Sequence, residues 1–194
     1  MIITDGEGSG RSVGVSGENA LKTNALTSSI EHHINHHDQQ AYHLIFQVTP
    51  DSENPSEDLS EACFLYMKNT SLTDICIEGF HWRMGGTSNS DSIKFVIGDT
   101  GTPVGGTINT PANCNAGSGN IAVGTFYTGT SITGLSGGTT LDRIYLESSN
   151  TSESFNFEQD VIIPKNYTFT MYAETGGTEI DGTIIFNYHN KDMG

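Results

Sequence analysis

A chain of 194 residues has room for one ordinary domain, or for a domain plus an arm, and its 8 Lys and Arg against 23 Asp and Glu give a formal net charge of −15. The few cations are scattered, which argues against a phosphate-binding surface for nucleic acid. Only 16% of residues are charged and 23 are glycine, so the polarity is mainly neutral and the chain is not a highly charged disordered tail.

The first residues, MIITDGEGSGRSVGVSGENA, carry no basic segment followed by an apolar run. No apolar stretch of roughly 18 residues occurs anywhere, so neither a secretory leader nor a membrane-crossing helix is expected. Residues 1–40 show little apolar periodicity and read as an N-terminal arm before a body at 41–190 and a short tail at 191–194. Within the arm, LTSSIEHHINHHDQQ predicts a short helix over 28–38, with Ser28 or Ser29 as cap and Glu31 near the favourable end. Its stripe is weak, since only Ile30 and Ile34 lie four apart, and a neighbour would have to supply the missing stability. His32, His33, His36 and His37 are concentrated here. On a helix, His33 and His37 share a face, as do His32 and His36, so His33 and His37 are weak candidate metal ligands. The HExxH relation is absent, and an exposed or interface-supporting cluster is the plainer reading, with a contact responsive to pH near neutrality as an alternative.

The body opens with YHLIFQV, where Leu44, Phe46 and Val48 alternate with His43, Ile45 and Gln47 as a strand does. CFLYMKN and DICIEGFHW follow, separated by TSLT, and read as an antiparallel hairpin. A bulge at Gly79 would change phase, so that Phe80 and Trp82 pack after Ile75 and Ile77. Further strands are predicted at IKFVIGD, GGTINT, NIAVGTFYT, TLDRIYLE, ESFNFEQ, NYTFTMYAE and TEIDGTIIFNYH. In the last, Ile180, Gly182, Ile184, Phe186 and Tyr188 share a face; in NYTFTMYA, Tyr167, Phe169, Met171 and Ala173 do, with Pro164 marking strand entry. Gly-Gly-Thr at 85–87, 105–107, 137–139 and 176–178 reads as repeated turns without a phosphate fingerprint. Together these elements predict an all-β antiparallel β-sandwich or jelly roll, with a partly closed barrel as the competing closure.

Three cysteines, Cys63, Cys76 and Cys114, cannot all pair within the chain; Cys63 and Cys76 read as packed thiols, or as a disulfide if their strands are neighbours. Asp51, Glu53, Glu57 and Asp58 enrich one loop, which is a solvated acidic surface or, less simply, a source of calcium oxygens, though EF-hand spacing is absent. His43, His81 and His189 read as satisfied or interface histidines. No nucleophile elbow or cysteine-centred signature joins them, so no catalytic residue and no cofactor is expected. Trp82 is a core or subunit-contact aromatic, or else a platform for a host glycan. Asn69, Asn150 and Asn166 head N-x-S/T triplets that matter only in a glycosylating compartment.

The segments CFLYMKNTS, IKFVIGDTGTPVGGT, NAGSGN, GLSGGTTLDRIYLE and IIPKNYTFTMYAETGG resemble β-rich virion structural proteins of tailed bacteriophages. The resemblance covers residues 41–189 and leaves the arm outside. It implies a capsid decoration or cement protein, a homo-oligomer on the capsid surface assembled in the host cytoplasm. Its partners would be the major capsid protein, copies of itself, or both, with no nucleic acid and no membrane. His32, His33, Ile34, His36, His37 and Trp82 are the candidate assembly contacts. The alternative is a tail or fibre receptor-binding module that takes a host glycan.

Overall fold

The computed structural model describes residues 2–4, 12–14, 41–48, 62–85, 91–146, 152–173 and 179–189. The helix expected at 28–38, all four clustered histidines, Ile34, the acidic loop and the tail at 191–194 lie outside these. Residues 1–34 form a unit of their own. In it β1 (Ile2–Thr4) pairs antiparallel with β2 (Ser12–Gly14), Ile3 opposite Val13. Such three-residue runs are too short to display a period of two, which is why no strand is expected from them.

The second unit, residues 35–194, carries β3 (Ala41–Val48), β4 (Ala62–Asn69), β5 (Asp74–Gly85), β6 (Asp91–Ile97), β7 (Thr100–Val104), β8 (Thr107–Ile108) and β9 (Ala112–Asn113). After them come β10 (Gly124–Ser136), β11 (Thr139–Leu146), β12 (Ser152–Ile163), β13 (Thr168–Ala173) and β14 (Glu179–His189). Two antiparallel sheets result. One runs β11-β6-β13-β4-β10-β7 with β8 beside β10, and the other runs β12-β5-β14-β3-β9. Strand β3 pairs with β14, β4 with β13, β5 with β12 and β6 with β11. The second unit is thus one long hairpin, rolled so that successive arms alternate between the two sheets, which is the winding of a jelly roll. Residues 98–138 are the hairpin's tip, and they contain β7 to β10. No helix among the described residues is long and apolar enough to cross a membrane.

This winding corrects the expected hairpin of CFLYMKN and DICIEGFHW. Strands β4 and β5 lie in different sheets, and TSLT crosses between layers. A Cys63–Cys76 disulfide therefore does not form, and both thiols are buried. Burial pushes the Cys63 thiol up to about 12. The strand expected from NIAVGTFYT begins only at Gly124, and it runs on to Ser136 through residues where no strand is expected. Pro164 follows the end of β12 and precedes the turn into β13.

The phase change at Gly79 is present. Opposite β14, Ile185 faces Gly79 and Phe186 faces Ile77, leaving Glu78 as the extra residue. Consequently Ile75, Ile77, Phe80 and Trp82 are all buried. A Cβ on Gly79 would lie 2.5 Å from the Phe155 carbonyl oxygen, so the bulge needs a residue without one. Glu78, itself buried, accepts a 2.6 Å hydrogen bond from the Asn187 amide.

Between the sheets, Phe95 is the hub of an aromatic cluster, with ring centroids 5.4 Å from Phe80, 5.2 Å from Phe157 and 6.0 Å from Phe169. Phe64, Phe80, Phe95, Phe169 and Phe186 are fully buried, each contributing about 1.5–3 kcal/mol of transfer free energy. Strand β4 reads CFLYM without alternation because both its faces are covered. Phe64, Leu65 and Met67 enter the main core, while Cys63 and Tyr66 pack with Ile132 and Leu135 of β10 in a second cluster. The predicted face of β14 holds at Ile180, Ile184, Phe186 and Tyr188. In β13, Phe169, Met171 and Ala173 are buried as expected, but Tyr167 is exposed and the intervening Thr168 and Thr170 are buried. Those two threonines serve Asp99, as donors to its main-chain oxygen at 2.8 Å and its carboxylate at 2.6 Å. Gly105, Gly106 and Gly137 have positive φ, so two of the Gly-Gly-Thr turns are left-handed as read.

Candidate interaction site

At the end of β4, Asn69 is wholly buried. A buried amide with four hydrogen-bonding valences must spend them locally. Its Nδ2 donates to the carbonyls of Thr73 and Ile163, both at 2.8 Å. Its Oδ1 accepts from the Ser71 backbone at 2.9 Å and the Ser71 hydroxyl at 2.7 Å. The backbone of Asn69 adds two more bonds, its N–H to the Tyr167 carbonyl and its carbonyl from the Asn166 N–H. One side chain thus fastens the β4–β5 crossover to the β12–β13 turn. On the other side of β4, Gly124 pairs opposite Asn69 and delivers the loop that ends at Val123.

That third loop is braced by its own amides. Asn113 donates to the Ser118 hydroxyl and the Asn120 carbonyl and accepts from the Asn115 N–H, while the Cys114 N–H bonds the Ala41 carbonyl of β3. The segment NIAV, expected as strand, therefore presents Ile121 and Val123 outward, while Ala122 packs against the core.

The three loops carry exposed apolar side chains: Leu72 at 84%, Ile121 at 73%, Tyr167 at 59% and Val123 at 49%. Single exposed apolar residues are ordinary, but several on adjoining braced loops form a patch. Beside them lies a cleft of about 400 Å³, with Tyr42 and Tyr188 as floor, Ser71 and Thr73 as one wall and Asn120, Ile121 and Val123 as the other. The two tyrosine rings meet edge to face at 5.5 Å. The Tyr188 hydroxyl donates to the Val123 carbonyl at 3.0 Å, and burial raises its phenol. Burial likewise raises the Tyr42 phenol, partly offset by a hydrogen bond with the Asn113 side chain. The described residues that line it include no carboxylate, cation, imidazole or thiol. Such an arrangement suits the burial of a neutral or apolar group.

Of the sequence-predicted contacts, Trp82 alone lies among the described residues. His32, His33, Ile34, His36 and His37 fall outside the described residues, including the candidate metal pair His33 and His37. Trp82 is removed from the contact surface: only 3% exposed, it stacks on Phe80 at 4.3 Å and 14° within the core. Its Nε1 has no hydrogen-bond partner among the described residues. His43 is half-buried and His81 exposed on the five-stranded sheet, and nothing brings them to the cleft. Among the described residues no group of three or more His, Cys, Asp or Glu is placed to hold a metal ion. The Asn69 triplet is no glycan acceptor in the folded chain, because both amide protons are engaged inside the protein. Sequence reasoning missed the patch, although Leu72 standing alone in the polar turn TSLT was a visible signal. No family model matches the chain, and no curated protein sequence matches it.

Proposed function

We propose that this chain is a non-catalytic assembly module, a decoration or cement subunit on the head of a phage-like particle. The observation that carries the reading is the patch of Leu72, Ile121, Val123 and Tyr167 on loops braced by buried asparagine. An interface anchor works best when it is held in place before binding, since less side-chain and loop freedom is lost on association. The two-sheet jelly-roll winding is shared by viral capsid domains and by lectins, so it agrees with the reading without selecting it. The glycan-binding alternative is weaker, because the indole that would have served as its platform is buried in the core.

The test is co-expression of the chain with the major capsid protein of a phage head. Purified heads are then measured for occupancy by electron cryo-microscopy and for thermal opening. Symmetric occupancy with a raised opening temperature is expected. Absence from heads, together with binding of the chain to a glycan array, overturns the proposal in favour of receptor recognition.

A further inference from the structure

We draw no further inference here: the strongest candidate, the buried side-chain pair of Glu78 and Asn187 on the five-stranded sheet, where the Asn187 Oδ1 has no hydrogen-bond partner among the described residues, carries nothing because too few ligating groups converge on it to define a cation and nothing in the structure shows what covers it.

Discussion

Replacing Asn69 tests whether one buried amide organises the whole end of the sandwich. Asn69→Ala removes four hydrogen bonds, two donated at 2.8 Å to Thr73 and Ile163 and two accepted from Ser71 at 2.9 and 2.7 Å. At about 1 kcal/mol each the bonds alone amount to about 4 kcal/mol. The Ile163 carbonyl, bonded from within a buried site, loses its partner and adds to this, while partial access of water at Thr73 subtracts, so about 3–5 kcal/mol is expected. Asn69→Asp separates hydrogen bonding from shape, because the side chains are nearly identical. Its carboxylate would aim an oxygen at two carbonyl oxygens, and only the protonated acid restores a donor. The folded pKa of that aspartate must then lie above its unfolded value of about 3.9. A raised folded pKa means stability that is fully present below the unfolded value and lost as pH rises through the folded one. The aspartate variant should therefore approach the native chain below pH ~4 and fall away towards neutrality. Chemical denaturation followed by the fluorescence of Trp82, the chain's single tryptophan, gives the midpoints. A cost under about 1 kcal/mol for Asn69→Ala, or a pH-independent gap for Asn69→Asp, would refute the reasoning.

Asp99→Ala should cost about 3–5 kcal/mol by the same assay, because it strips partners from the Gly138 N–H at 3.0 Å, the Thr170 hydroxyl at 2.6 Å and the Tyr172 hydroxyl at 2.7 Å. Gly79→Val should destabilise by about 1–3 kcal/mol, since its Cβ would meet a backbone oxygen at 2.5 Å. Gly119→Ala, with open space around its Cβ, should stay within about 0.5 kcal/mol of native. Alkaline pH should also destabilise the fold. The Cys63 thiol, raised from 9.0 to about 12, contributes stability that is complete below pH 9.0 and lost as pH rises to about 12. Cys63→Ala should consequently show a shallower fall over that window, and an unchanged slope would exclude the buried thiol as a cause.

Alternation revealed most of the long strands, because a strand with one buried face must alternate, as β14 does at Ile180, Ile184, Phe186 and Tyr188. The change of phase at Gly79 was legible for the same reason: Ile75 and Ile77 fit one parity and Phe80 and Trp82 the other. What alternation cannot supply is which strand lies beside which. TSLT suits a hairpin, yet Asn69 pulls it into a crossover by bonding Ile163, 94 residues away. NIAV looks like strand, yet it is held outside the sheet by Asn113 and by the Tyr188 hydroxyl. Trp82 drew attention as the single tryptophan, but rarity carries no information about exposure, and its neighbour Phe80 already pointed inward. The buried Thr168 and Thr170 were invisible because their partner, Asp99, sits some 70 positions earlier.

The rolled hairpin explains why apolar residues so far apart in sequence meet. Pairing β4 with β13 and β5 with β12 places the β4–β5 crossover and the β12–β13 turn at the same end. Pairing β10 with β4 on its other flank brings the loop ending at Val123 there as well. Topology therefore dictates that residues 70–73, 164–167 and 117–123 are neighbours, but it does not dictate their chemistry. Polar residues serve turns at least as well as Leu72, Ile121 or Tyr167 do, and they avoid exposing apolar surface to water. Asn69 and Asn113 show that the same loops use polar side chains wherever the fold itself needs bracing. Within one copy the outward apolar residues have no structural task, since the braces hold the loops without them. On the proposed assembly reading, burial against a second surface would supply the free energy that accounts for their presence, and the three loops that the winding gathers would be the three sides of one contact.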